Sequence, residues 1–171
     1  MLATTHVLTG ALIGRRVRNP ALAFAVGVGS HLALDALPHW GIDLAEPGAR
    51  QRYLRVAVAD GVTLSAALLW VRRRFGAGPE LAGALGALLL DLDKPAAELG
   101  VEQLWADRLH LLHTGIQTGE RPWRWPVDVT VALAAFVGLI MGSESGDSGE
   151  SVATPVPSAS GSAPERPIEQ T

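Results

Sequence analysis

The sequence predicts an all-α fold: a bundle of about five short, mostly membrane-embedded helices with a disordered C-terminal tail. Three observations predict it. Apolar residues make up 48% of the 171-residue chain and charged residues only 18%, against about 25% in ordinary soluble domains. The apolar residues fall in runs of helical length, separated by arginine clusters or turn residues. The last stretch, 142–171, is rich in Ser, Gly, Pro and Glu and has almost no large apolar side chain to bury. The chain therefore divides into a helical part, 1–141, and a tail, 142–171.

The first run is 2–14, closed by Arg15, Arg16 and Arg18. The second is 20–37, with Pro20 suited to a first helical position and Pro38 to a stop. A polar loop over 39–52 carries Gly41, Pro47 and Gly48. The third run, 53–71, is closed by Arg72, Arg73 and Arg74, and the fourth, 80–92, lies between Pro79 and Pro95. A more polar helix over 96–112 and a last apolar run over 126–141 follow. A membrane span needs about 20 apolar residues; the second and third runs reach the low end of that range. In an up-and-down bundle the arginines after runs one and three fall on one side, as expected for cytoplasmic ends, although Arg50, Arg52 and Arg55 lie on the other. The expected location is the cell inner membrane, multi-pass, and the alternative is a very apolar soluble bundle. The N-terminus lacks the basic region of a secretory signal. Trp40, Trp70, Trp105, Trp123 and Trp125 mostly lie at run ends, as in an interfacial belt. A net charge of −3 gives no reason to expect nucleic acid.

Asp and His are costly inside apolar helices, so their positions point to function. His6 opens run one, His31 and Asp35 lie late in run two with His39 just beyond, Asp60 lies early in run three, and Asp91 and Asp93 close run four. Folded up and down, these positions meet at one end of the bundle, opposite the arginines. His31 and Asp35 are four apart and share a helix face, and His39 follows Pro38, where the chain can turn back. His110 and His113 share a face three apart. With no cysteine in the chain, a metal there takes nitrogen and oxygen ligands. The expected ligands are His6, His31, Asp35, Asp60 and Asp91. Asp93 and His39 are candidates for acid–base work, and His110 and His113 are further candidates at the same site. A core in which His31 and Asp35 only hydrogen-bond each other is the competing expectation.

The Thr5-His6 pair, the His31-x3-Asp35 helix and the Asp91-x-Asp93-x-Pro95 turn resemble bacterial inner-membrane, metal-dependent hydrolase-like proteins over about residues 3–117. The His-x3-Asp helix also looks like the ligand helix of zinc-dependent phospholipase C. Leu90 stands where the family turn usually has Pro, and Lys94 where it often has His. The resemblance implies a divalent metal, zinc by preference, and hydrolysis of an ester or phosphoester by metal-activated water. At a membrane boundary the expected partner is membrane lipid, with a lipid-linked phosphoester as substrate. The competing function is non-catalytic: a structural, partner-binding or transport-accessory membrane protein with a polar helix interface.

Overall fold

The computed structural model describes residues 1–101 and 104–144, without the side chains of 118, 143 and 144. Helix α1 spans Ala3–Val17, α2 Pro20–Asp35, α3 Ala49–Phe75 and α4 Pro79–Leu88. A 3-10 turn, Leu89–Leu92, leads into α5, Asp93–Glu98, and then come α6, Asp107–Ile116, and α7, Trp125–Glu144, after two further 3-10 turns. Among the described residues there is no strand. The disordered tail expected from composition falls on 145–171, outside the described residues, and α7 runs to Glu144, three residues past the expected end of the helical part.

Local chemistry sets several of these boundaries. Asn19 caps α2 by accepting from Leu22 N at 3.1 Å, and Pro20 takes the first helical position. The expected helix over 96–112 is two helices, because Gly100 adopts φ +86° between α5 and α6. Pro95 was expected to lie beyond a helix end. It sits instead in the first turn of α5, where the missing N–H leaves no bond unmade.

Helix α1 packs against α2, α3, α4 and α7, and α4 packs against α1 and α2. Val7, Leu8, Ala11, Val71, Ala84, Ala135 and Leu139 form the buried core. Glycine permits the close approach of α4. A Cβ on Gly83 would strike the carbonyl of Gly10, and one on Gly27 would strike the carbonyl of Gly83. Small residues that let backbones meet are the usual way helices associate inside membranes.

The up-and-down order holds. The start of α1, the ends of α2 and α4 and the start of α7 meet at one end, where the structure makes His6–Asp35, His6–Asp91 and Leu2–Asp128 contacts. At the other end Arg15 and Arg74 both lie over the Phe75 ring, 5.4 and 5.6 Å from its centroid. Arg15 also donates to the carbonyls of Leu139, at 2.7 Å, and Gly142, which places a cation on the last turns of α7. Among the described residues, two helical segments, Ala49–Phe75 and Pro122–Gly142, are long and apolar enough to cross a membrane, and Pro20–Asp35 is a shorter apolar helix. The first of these exposes Val58 and Val62, each about two-thirds accessible.

Candidate metal centre

Helix α2 supplies the centre of the site. Its period places His31 and Asp35 one turn apart on the face turned inward, and both are fully buried. The Asp35 carboxylate is surrounded. Its Oδ1 lies 3.1 Å from His6 Nε2 and 2.9 Å from the Met1 nitrogen. Its Oδ2 lies 3.2 Å from both His31 Nε2 and His113 Nε2, and the Gln117 amide donates to it at 2.6 Å. His6 arrives from α1 and stacks on His31 with ring centroids 3.9 Å apart. His113 arrives from α6 and puts its Nε2 3.0 Å from that of His31.

Two of these rings are held by the backbone in a way that decides what their other nitrogen can do. His31 Nδ1 donates to the Ala87 carbonyl at 2.7 Å, and His39 Nδ1 donates to the Leu37 carbonyl at 2.7 Å. A carbonyl only accepts, so the proton is on Nδ1, and the neutral ring turns a lone pair outward from Nε2. For His31 that lone pair faces Asp35 Oδ2 and His113 Nε2. For His39 it faces Glu120 Oε1 at 3.3 Å and Asp35 Oδ1 at 3.9 Å. Acceptors facing acceptors in a buried site require a proton or a cation between them. Four further polar atoms here, His6 Nδ1, Asp91 Oδ2, Asp93 Oδ1 and His113 Nδ1, are buried without a hydrogen-bond partner.

The electrostatics agree. Burial alone would lower the pKa of His113. The carboxylates of Asp35, at 3.2 Å, and Asp93, at 3.6 Å, outweigh it and raise the ring to about 9. Burial would raise Asp91, but the charge of Lys94, helped by His6 and His31, pulls it down to about 2. Lys94 is held above its ordinary range: the charge and hydrogen bond of Asp91, at 2.7 Å, exceed the opposing effect of burial.

Among the described residues, two sets can each offer three ligand atoms within 4.8 Å of one another: His31, Asp35 and His113, and His6, His31 and Asp91. The expected residues His6, His31, Asp35, Asp91 and His113 are thus brought together. His39 joins the rim through Asp35, while Asp93 stands 3.6 Å from His113 Nδ1 and 3.9 Å from Nδ1 of partly exposed His110. Asp60 is placed elsewhere. Its two oxygens accept from Ala3 N at 2.8 Å and Thr4 N at 3.2 Å, capping α1 from α3. Asp128 completes that cap, accepting from Leu2 N at 2.8 Å and Trp40 N at 2.9 Å. Sequence reasoning missed Asp128, Gln117 and Glu120. Asp128 was open to discovery, since it is a carboxylate at the start of an apolar run, as Asp60 is; Gln117 and Glu120 lie in a polar connection where nothing distinguishes them. No protein-family model, no curated protein and no solved structure matches this chain.

Proposed function

We propose that the chain is a multi-pass protein of the inner membrane that holds a divalent metal ion at the His31–Asp35–His113 group and hydrolyses an ester or phosphoester there. One observation carries the reading. His31 and His39, each fixed by a backbone carbonyl, aim bare nitrogens at a carboxylate buried among other ligands. Neighbouring donors on a tetrahedral zinc, with bonds of about 2.0–2.1 Å, stand roughly 3.3 Å apart. The His31, Asp35 and His113 donor atoms stand 3.0–3.2 Å apart. The donor set is nitrogen and oxygen, and His31 has the carbonyl partner on its far nitrogen that orients metal-binding histidines. These features support a metal of the zinc type. His6 and Asp91, grouped with His31, mark an alternative place for the same ion, because the single lone pair of His31 Nε2 cannot serve two.

A bound divalent ion supplies an acidified water and a Lewis acid for an ester or phosphoryl oxygen. The chain's own residues do the rest. His39 Nε2 can accept a proton on the Asp35 side and pass it to Glu120, whose side chain is about one-third exposed. Asp93 holds His113 from behind. Gln117 orients Asp35 through its 2.6 Å hydrogen bond.

The same hydrogen bond, with the Met1 nitrogen on the other oxygen, favours a second reading: a polar helix interface with no catalysis. Elemental analysis of the detergent-purified chain separates the two. The metal reading expects near-stoichiometric zinc or another divalent ion in the wild type and a sharp loss in Asp35→Asn. A wild type that takes up none after incubation with zinc, manganese or cobalt ends it.

A further inference from the structure

Beside the metal centre lies a cavity of about 510 Å3, within the range of about 300–1,000 Å3 typical of small-molecule sites. Leu54 and Leu64 of α3, Leu88 at the end of α4 and Leu92 of the following 3-10 turn give it apolar walls. It follows α3 from Tyr53 to Leu64, about 16 Å of helix, close to the ~15 Å of hydrocarbon in one bilayer leaflet. Its lining also carries Asp60, Asp91, Lys94 and Glu98, and most of these charges are already matched. Asp60 is taken up by the α1 amides, and Glu98 pairs with Arg50 at 2.7 Å. Lys94 pairs with Asp91 at 2.7 Å but keeps donors to spare: its ammonium has three, Asp91 takes one, and its side chain is 35% accessible. Asp91 belongs both to this cavity and to the His6–His31–Asp91 group. A molecule seated in the cavity with an anionic group on Lys94 therefore has that group beside the metal centre.

We infer that the cavity takes one hydrocarbon chain of a phosphate-bearing lipid and that Lys94 receives the phosphate. This makes a lipid phosphoester the substrate class of the site, and as a statement about substrate it rests on the metal-hydrolase reading above. The apolar walls select a chain, and the compact ammonium selects a phosphate without demanding the planar geometry an arginine would impose. The occupant enters from the membrane, since α3, which forms one wall, is also one of the two helices long enough to span it.

The test uses the full chain in a sterol-based detergent, which brings no alkyl chain of its own. The probes are radiolabelled oleoyl lysophosphatidic acid and monooleoylglycerol, which has the same chain without the phosphate. Wild type should bind the phosphate lipid at least tenfold more tightly. Lys94→Met should abolish that preference and Lys94→Arg should keep most of it. Gly61→Phe puts a ring at a cavity-lining position where an added Cβ meets nothing within 4 Å. It should weaken both lipids at least tenfold with metal content unchanged. Equal affinity for the two lipids, a phosphate preference that survives Lys94→Met, unaltered binding in Gly61→Phe, or full displacement by equimolar inorganic phosphate would each overturn the proposal. Metal without lipid binding sinks this inference and leaves the metal centre standing. The expected lipid pattern in a chain that never takes up metal sinks the hydrolase reading and leaves the lipid site.

Discussion

Asp35 accepts from or faces groups on both oxygens, so Asp35→Asn removes a charge while barely changing shape. If Asp35 holds a metal, the change empties the site, and His31→Gln on top of it does nothing more, because ligands of one ion are strongly non-additive. If the residue only hydrogen-bonds, each change costs on the order of 1 kcal/mol and metal content is irrelevant. Elemental analysis of both single variants and the double variant decides between them; retention of stoichiometric metal in Asp35→Asn would falsify its role as a ligand. His113 supplies a pH test. In the metal-free protein its pKa is raised to about 9, above the ordinary value of about 6.5. The protonated ring therefore adds stability that is complete below about pH 6.5 and is lost as pH rises through about 9. A metal competes with that proton, so metal affinity should change the other way, increasing from pH 6 to pH 9. Unfolding curves of chelator-treated protein at pH 6 and 9.5, with His113→Gln as the flat control, check the first statement, and a zinc titration at the same two values checks the second. Much of this cluster was legible in the sequence, because ionisable residues are conspicuous in an apolar run and helical spacing puts His31 with Asp35. The capping role of Asp60 was not. Asp60 lies at the same end as the cluster, and only three-dimensional placement shows its oxygens on the amides of Ala3 and Thr4.

Among the elements, α1 and α4 depend most on what is absent from their side chains. A methyl on Gly83 meets the Gly10 carbonyl, and backbone cannot move aside as a flexible side chain can. Gly83→Ala should therefore force α4 away from α1 and cost about 1–3 kcal/mol. Gly29 of α2 is the control: a Cβ there meets nothing within 4 Å, and the gain in helix propensity should make Gly29→Ala neutral or stabilising by about 0.5–1 kcal/mol. Thermal unfolding in one detergent compares the pair, and equal melting temperatures would remove glycine packing from the account of the fold. The N-terminus of α1 makes a second element-scale case. Asp60→Ala strips the acceptor from two orphan amides and should cost about 0.5–2 kcal/mol, yet it should leave metal content intact because Asp60 lies in neither ligand group. Metal loss in a folded Asp60→Ala protein would restore it to the ligand set. Helix positions were legible from prolines and arginines at the ends of the apolar runs. The break at Gly100 was less so, because a single glycine in a polar stretch is compatible with a continuous helix.

At the scale of the whole molecule, the two ends of the bundle differ in chemistry. Histidines and carboxylates collect where α1 begins and α2 ends, and Arg15 and Arg74 converge on Phe75 at the opposite end. Between the ends the molecule presents apolar surface: Val58 and Val62 on α3 and Leu133 on α7 are 67%, 66% and 58% accessible. A soluble protein rarely leaves so much apolar helix uncovered, whereas lipid covers it at no cost. The 27 residues of α3 extend about 40 Å, past a hydrocarbon core of about 30 Å. Its last turn ends in Arg72, Arg73 and Arg74, where a cytoplasmic flank would carry them. Two outcomes follow. The untagged protein should stay in the membrane pellet through a carbonate wash. A cysteine placed at Arg73, in a chain with no other, should react with an impermeant maleimide only after the cells are opened. Labelling in intact cells would invert the assignment and put the His/Asp end in the cytoplasm, and release by carbonate would leave the exposed faces of α3 and α7 to be covered by protein instead of lipid. The orientation also has a chemical consequence. If Arg73 is cytoplasmic, the His/Asp cluster faces the outer side of the membrane, so if it holds the proposed metal, an impermeant chelator added to intact cells should strip it, while the same chelator confined to the interior of right-side-out vesicles should not.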